Sequence, residues 1–156
     1  MRNLPAKKGF TLIEVLFALA ILAVTLCGLL LTYLNMFVLA DVIRDSALAG
    51  NALTAKLEEI RHMNYSDIPL EAGPFNLSDY GFPAQQLSMG RVEVTTDFAG
   101  YTGNLTKVRM TGAYTTRNSR IVGEDRNLNG ALDTGEDSNS NGRLDSTIEV
   151  VGLVGK

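Results

Sequence analysis

A long apolar run near the amino end constrains this chain more than any other feature of its sequence. No charged residue occurs from Val15 to Leu34. A helix of about twenty residues, rising ~1.5 Å per residue, spans ~30 Å, which is the thickness of the hydrocarbon core of a bilayer. The run therefore predicts a single membrane-spanning helix.

The charges before the run indicate its orientation. Arg2, Lys7 and Lys8 precede Phe10, and no acidic residue does. Because basic flanks stay on the cytoplasmic side of a membrane, the amino end is predicted to remain inside and the rest of the chain to face outward. An ordinary signal anchor would fit this pattern. A secretory signal peptide is a further alternative, although the run is long for one and no A-x-A-like cleavage site follows it.

The stretch KKGFTLIEVLFALAILAV, residues 7–24, resembles the amino-terminal signature of type IV prepilins and of the pseudopilins of type II secretion. Gly9, Phe10 and Glu14 stand at the positions of that signature. The resemblance implies that a membrane prepilin peptidase cuts between Gly9 and Phe10 and methylates the new amino group of Phe10. It also implies that the apolar run stays in the mature protein.

The same resemblance implies a location and partners. The chain would cross the bilayer of the bacterial inner membrane once, amino end in the cytoplasm, and then enter a pilus or pseudopilus in the periplasm or outside the cell. Its partners would be prepilin peptidase, other pilin or pseudopilin subunits and an inner-membrane assembly platform. The chain lacks the mid-helix proline and the carboxy-terminal disulfide loop that major pilins usually carry, and its only cysteine is Cys27. The stretch at residues 53–69 resembles minor pilins and minor pseudopilins instead.

Glu14 is a charge at the edge of lipid. A charged residue at the centre of a membrane helix costs about 2.5–3.5 kcal/mol, and less near an end, so it is normally paired. A cut before Phe10 creates an amino group one helical turn from Glu14. The resemblance implies that this pairing, within a subunit or between neighbours, sets the register of assembly.

The helical pattern continues beyond the run and becomes amphipathic. Apolar residues recur at spacings that place them on one helical face. These are Ile43, Ala47, Leu53, Leu57 and Ile60. We predict a leader of residues 1–9 that is removed and one helix over residues 10–62, with 10–40 serving the membrane and assembly and 41–62 packing on a globular head.

The head, residues 63–156, is predicted to be a small antiparallel sheet. Prolines and glycines mark residues 64–90 as an irregular connector, and GYTGN, residues 100–104, is predicted to be a turn. Alternating apolar residues place Val92, Val94, Phe98, Val108 and Met110 inward, with Lys107 and Arg109 outward. The strand candidates are residues 91–98, 105–116, 120–122, which would extend the preceding strand after a bend, and 146–154. With the amphipathic helix as its cover, the sheet predicts an α+β fold.

An acidic segment, residues 123–145, is an internal duplication. GEDRNLNGALD is followed after twelve residues by GEDSNSNGRLD. Each copy places oxygen-bearing side chains at loop positions one, three, five and nine and glycine at six, which is the spacing of an EF-hand calcium loop. The copies resemble the short tandem calcium loops of dockerins and thrombospondin type 3 repeats. We therefore predict bound Ca²⁺ with a structural role.

The predicted ligands follow from that spacing. In the first loop they are Asp125, Asn127, Asn129, the carbonyl of Ala131, Asp133 through water, and Glu136. In the second loop they are Asp137, Asn139, Asn141, the carbonyl of Arg143, and Asp145. Position twelve of the second loop is Ile148, which cannot ligate a metal through its side chain. Glu149 and Glu124 are the two alternatives for that position.

Three functions fit these features. The first is a structural subunit of a pilus or pseudopilus; the second is an adhesive module displayed on such a fibre; the third is a membrane-anchored calcium-binding protein that never polymerises. An enzyme is not predicted, because no nucleophile–base pair is visible and His62 is the only histidine. The net charge of −3 gives no reason to expect a nucleic-acid partner.

Overall fold

The computed structural model describes residues 9–96, 105–117 and 119–156. The basic leader residues, the GYTGN turn and Phe98 lie outside those ranges. Contacts divide the chain into two compact units, residues 1–40 and 41–156. Helix α1, Leu12–Arg61, contributes to both.

In the first unit the apolar side chains of α1 are exposed throughout. This helix is long and apolar enough to cross a membrane. Glu14 is the only charged residue from Gly9 to Ala40. A surface of this kind needs lipid or other helices around it, since water is an unfavourable environment for so much apolar area.

Among its described residues, the second unit contains a five-stranded antiparallel sheet. Its strands are β1 (Gly73–Phe75), β2 (Ser88–Thr95), β3 (Leu105–Thr115), β4 (Ile121–Val122) and β5 (Glu149–Gly155). The central strand is β3, which pairs with β2 on one side and with both β4 and β5 on the other. Two short 3-10 turns, Ile68–Glu71 and Leu77–Tyr80, flank β1. The predicted α+β class is confirmed.

The core lies between the sheet and the second part of α1. Leu53, Leu57 and Ile60 from the helix are buried against Val108 and Met110 of β3. Tyr114 is also buried there, and its hydroxyl lies 2.8 Å from Oγ of Ser46. The residues of β3 that face the helix follow the period of two expected of a strand, and most of the residues between them are buried as well.

The connector is more regular than predicted. It contains β1, whose residues Gly73 and Pro74 suggested a loop; proline fits here because β1 is an edge strand and pairs only with β2. The ring of Phe75 occupies the place where a side chain on Gly90 would lie, 2.4 Å from a Cβ built there. A glycine in β2 therefore makes room for the unexpected strand.

One further prediction about the sheet was wrong, and a second was right about the face of the sheet but not about exposure. Residues around Ile121 do not extend β3 after a bend; they turn back as β4 and pair antiparallel with Tyr114 and Thr115. Arg109 does lie on the face of β3 away from the helix, but it is only 8 % exposed. The duplicated acidic segment covers that face, as the contacts below describe.

Candidate functional site

The predicted cleavage point lies outside regular structure. Gly9 and Phe10 precede α1, which begins at Leu12. Phe10 is 84 % exposed, and a Cβ placed on Gly9 would have no heavy atom of the described residues within 4 Å. Among residues 9–96, 105–117 and 119–156, therefore, nothing covers the peptide bond between Gly9 and Phe10, and no packing requires glycine at position 9.

Glu14 lies in the first turn of α1 and forms a local hydrogen-bonded pair with Thr11. The backbone N–H of Glu14 donates to Oγ1 of Thr11 at 3.4 Å, and the backbone N–H of Thr11 donates to Oε2 of Glu14 at 3.5 Å. This is the reciprocal arrangement of a capping box. These two contacts satisfy backbone groups at the helix start, and neither of them supplies a positive charge to the Glu14 carboxylate.

The first acidic loop is wound around Asp125. Its Oδ2 accepts a hydrogen bond from the N–H of Gly130 at 2.7 Å, and its Oδ1 accepts from the N–H of Asn129 at 3.1 Å. Positive φ angles at Leu128 (56°) and Gly130 (71°) produce the sharp turn. Glycine adopts such angles at little cost, whereas leucine does not.

The second loop repeats this geometry twelve residues later. Asp137 accepts from the N–H of Gly142 at 2.8 Å and from the N–H of Asn141 at 3.0 Å. The φ angles of Ser140 (58°) and Gly142 (73°) match their counterparts. The sequence duplication is thus also a duplication of backbone conformation.

Asparagine side chains meet an aspartate in each loop. Nδ2 of Asn127 and Nδ2 of Asn129 donate to Oδ2 of Asp133, at 2.6 and 2.8 Å. The hydrogen bonds from Asn127 and then Asn129 hold the pKa of Asp133 below its usual value. The side chains at loop positions three and five therefore meet at the ionised carboxylate of position nine.

The second loop makes the equivalent contacts. Asn139 and Asn141 donate through Nδ2 to Oδ2 of Asp145, at 2.7 and 2.6 Å. These two hydrogen bonds lower the pKa of Asp145, with a further contribution from Arg109. The carbonyl-bearing residues Ala131 and Arg143 also correspond, since each N–H donates to the asparagine side chain two residues earlier.

The glutamates connect the two loops. Glu136 accepts hydrogen bonds from the N–H groups of Arg126, at 2.8 Å, and Asp133, at 3.1 Å. Glu124 makes the same contacts in the other loop, accepting from the N–H groups of Ser138, at 3.1 Å, and Asp145, at 3.0 Å. Ser138 is the counterpart of Arg126. Glu124 therefore stands to the second loop as Glu136 stands to the first.

The other residues considered for position twelve are engaged elsewhere. Glu149 pairs with Arg109 at 3.0 Å, and Ile148 packs against the core. Within the described residues, no three His, Cys, Asp or Glu side chains form a group that could hold a metal ion. A metal in either loop would therefore depend on asparagine and backbone oxygens as well as carboxylates.

Two arginines anchor the loops to the sheet, a role that was not predicted for either of them. Arg109 on β3 forms ion pairs with Glu93 at 3.1 Å, Asp145 at 2.5 Å and Glu149 at 3.0 Å. Burial opposes its charge, but the hydrogen bonds that Arg109 donates to these carboxylates raise its pKa overall. Arg91 on β2 donates to the carbonyl of Gly130 at 2.5 Å. The sequence did contain a signal for these contacts: basic residues stand at outward strand positions in a chain that also carries an acidic duplicated segment.

We expect Arg109→Met to lower the free energy of unfolding of residues 41–156 by about 2 kcal/mol. Removing one partner of a fully buried ion pair costs about 3–5 kcal/mol, and the cost here is smaller because the three carboxylates are partly exposed. Urea unfolding would measure it. Lys107→Met, two residues earlier on the same face of β3, is the matched control and should change stability by much less; equal losses would show that the ion pairs contribute little.

Comparison with known proteins bears on the amino end. Residues 4–30 match the family description "Prokaryotic N-terminal methylation motif". No curated protein and no solved structure matches the chain. The matched segment includes Gly9, Phe10 and Glu14 and the first part of α1. The chain thus carries the amino-terminal methylation motif of type IV prepilin-like proteins, which indicates a substrate of prepilin peptidase.

Proposed function

We propose that this chain is a structural minor pilin or minor pseudopilin subunit, assembled into a type IV pilus or a type II secretion pseudopilus. The observation that carries the proposal is the methylation motif at residues 4–30, which overlaps the first part of a helix long and apolar enough to span a membrane. A folded α+β head follows the apolar segment, as a fibre subunit requires. The family is structural, which agrees with a non-catalytic role.

Processing creates the assembly-competent form in this proposal. Prepilin peptidase of the bacterial inner membrane cuts between Gly9 and Phe10 and methylates the new amino group, which remains cationic. That group then pairs with Glu14, of the same subunit or of a neighbour, because an unpaired carboxylate in an apolar layer is unfavourable. The apolar parts of the helices pack together in the fibre, and the heads form its outer surface.

We further infer that the duplicated loops bind Ca²⁺ and thereby stabilise the head. Support comes from the matching geometry of the two loops and from a donor set that consists of oxygen atoms, which Ca²⁺ prefers. The candidate ligands are the aspartates and asparagines of positions one, three, five and nine. Glu136 and Glu124 are the acidic side chains that reach the first and second loop, respectively. A bound cation would offset the repulsion among these carboxylates.

We expect Glu14→Gln to reduce incorporation into fibres strongly while leaving membrane insertion and leader removal intact. Glutamine is nearly isosteric with glutamate and can retain the local hydrogen bonds to Thr11, but it cannot pair with a cationic amino terminus. Sheared-fibre and membrane fractions, quantified side by side after co-expression with the assembly machinery, would measure the distribution. Thr11→Val, which removes the Oγ1 acceptor of the Glu14 N–H and keeps the charge, is the matched control.

These variants distinguish the role of Glu14 in capping the helix from its role in assembly. If Thr11→Val reduces incorporation as much as Glu14→Gln, the capping box explains the effect. Normal incorporation of the Glu14→Gln chain would contradict the assembly role of that residue, although processing of the motif would still stand.

A further inference from the structure

The turn between β3 and β4 carries two exposed arginines, Arg117 and Arg120. The N–H and Oγ1 of Thr116 both donate to the carbonyl of Arg120, at 2.8 and 3.1 Å, and the N–H of Arg120 donates back to Oγ1 of Thr116 at 3.2 Å. Thr116 is buried, whereas Arg117 and Arg120 are exposed. Hydrogen bonds between Thr116 and Arg120 therefore connect the two ends of the turn, and its two arginine side chains are exposed.

A third arginine lies beside this turn. Arg44, exposed on α1, and Arg117 line one groove of about 600 Å³ together with Gln85 and Leu87. Leu87 is 73 % exposed. Cationic side chains next to an exposed leucine form a surface with both charge and apolar character, which suits the boundary between lipid headgroups and hydrocarbon.

The level of this surface along the chain follows from Asp41. Nη1 of Arg117 lies 3.5 Å from Oδ1 of Asp41, which is the first charged residue after the run from Val15 to Ala40. That run measures ~39 Å as a helix, longer than the ~30 Å hydrocarbon core but within the ~40–45 Å bilayer with its headgroups. Asp41 and its neighbours therefore come at headgroup level if the run spans the membrane. Side chains on an α-helix tilt toward its amino end, so the Arg44 side chain tilts toward Asp41 along the helix.

The acidic groups near these arginines do not neutralise their positive charge. Asp45 is buried and accepts a hydrogen bond from Nε2 of Gln86 at 2.9 Å. Asp41 pairs with Arg117, but both side chains are about half exposed, and such pairs are weak. Phosphate can therefore compete for the Arg117 guanidinium, which binds phosphate through paired N–H donors.

We propose that Arg44, Arg117 and Arg120 bind the phosphate groups of anionic lipids at the outer surface of the membrane and hold the head against it before assembly. The inference rests on the membrane anchoring in the proposed function and goes beyond it. The occupant is lipid because the apolar run is joined directly to Asp41, so headgroups are the nearest dense source of phosphate. Release of these contacts would accompany the transfer of a subunit from membrane to fibre.

The absence of tryptophan from the chain makes the contact measurable. In Leu87→Trp the new side chain is the only indole, and it lies in the groove with Arg44 and Arg117. The full chain would be reconstituted into vesicles of phosphatidylcholine alone, or of an equal mixture with phosphatidylglycerol, containing acyl-brominated lipid as a quencher. We expect quenching to be stronger in the anionic vesicles. Arg44→Gln with Arg117→Gln should lower the ratio of docked to undocked heads by about five-fold for each arginine removed.

Matched charge controls make the result decisive. Arg61→Gln, ~25 Å further along the same helix, with Arg126→Gln in the acidic loop, removes the same charge and should leave quenching unchanged. Equal quenching in the two vesicle types, or equal losses in both double variants, would overturn the proposal. Resistance to alkaline extraction reports insertion separately: loss of insertion would refute the anchoring as well, whereas retained insertion without lipid-dependent quenching would refute headgroup binding alone.

Discussion

Replacing Gly9 by valine should leave the leader on essentially every molecule. A binding pocket shaped for a small group loses about 10- to 200-fold in rate for each methylene too many, and valine adds three carbon atoms. The structure separates this effect from misfolding, because a Cβ at position 9 meets no heavy atom within 4 Å in the part of the chain that the structure describes. Intact-mass spectrometry of the chain co-expressed with prepilin peptidase would show the leader retained and the methyl group on Phe10 missing.

Ala6→Val is the control for this experiment, since it adds bulk inside the leader at a distance from the scissile bond. That chain should be cut and methylated normally. Efficient removal of residues 1–9 from the Gly9→Val chain would contradict the assignment of the cleavage site. A cut elsewhere in either chain would show that the motif directs the peptidase to a different bond.

Removal of calcium should lower the melting temperature of the head by about 10 °C. A ligand present at a hundred times its Kd stabilises the folded state by about 2.7 kcal/mol, and each kcal/mol moves the midpoint of a domain of this size by several degrees. The fragment for this test is residues 41–156, because Leu53, Leu57 and Ile60 of α1 form part of the core. A fragment starting at residue 63 would lack them. Calorimetry in calcium and in a chelator would measure the difference.

Variants of equivalent residues locate the calcium effect. Asp125→Asn and Asp137→Asn preserve shape at position one of each loop and remove one charge, so each should shrink the calcium-dependent shift. Asp79→Asn, an exposed acid outside the loops, should leave the shift unchanged. Magnesium should substitute poorly, since it demands a smaller octahedral site. Identical melting temperatures with calcium and with chelator would refute calcium binding by the head.

Features encoded by local periodicity were predictable from the sequence. Helix α1 follows from the spacing of its apolar residues, but of the five residues predicted on its packed face Ile43 and Ala47 are exposed, and only Leu53, Leu57 and Ile60 are buried. The paired loops follow from a repeat visible in the sequence. Strand β1 was not predictable, because Gly73 and Pro74 are loop signals in isolation and the strand forms only where β2 provides a partner and Gly90 provides space. Long-range pairing, rather than local preference, determines that element.

The loop contacts likewise divide into short-range contacts, which were predictable, and long-range contacts, which were not. The aspartates and asparagines of each loop form hydrogen bonds with residues two to six positions away. Their spacing in the sequence is therefore enough to predict them. Arg109 and Glu124 act over tens of residues: the Arg109 contact to Glu149 and the Glu124 contact to Asp145 exist only once the segment has folded onto the sheet. Alternation placed Arg109 on the correct face but carried no information about what would cover it.

The glutamate contacts give the duplicated segment the topology of a closed ring. Each glutamate immediately precedes the first aspartate of a loop, Glu124 before Asp125 and Glu136 before Asp137. In an open tandem array every loop would take its last acidic group from the unit that follows, and the final loop would lack one. Here the final loop takes it from the first unit, so two copies complete each other. Loss of one copy would leave the other without its glutamate, and a third copy would have to open the ring, so the array is complete at two.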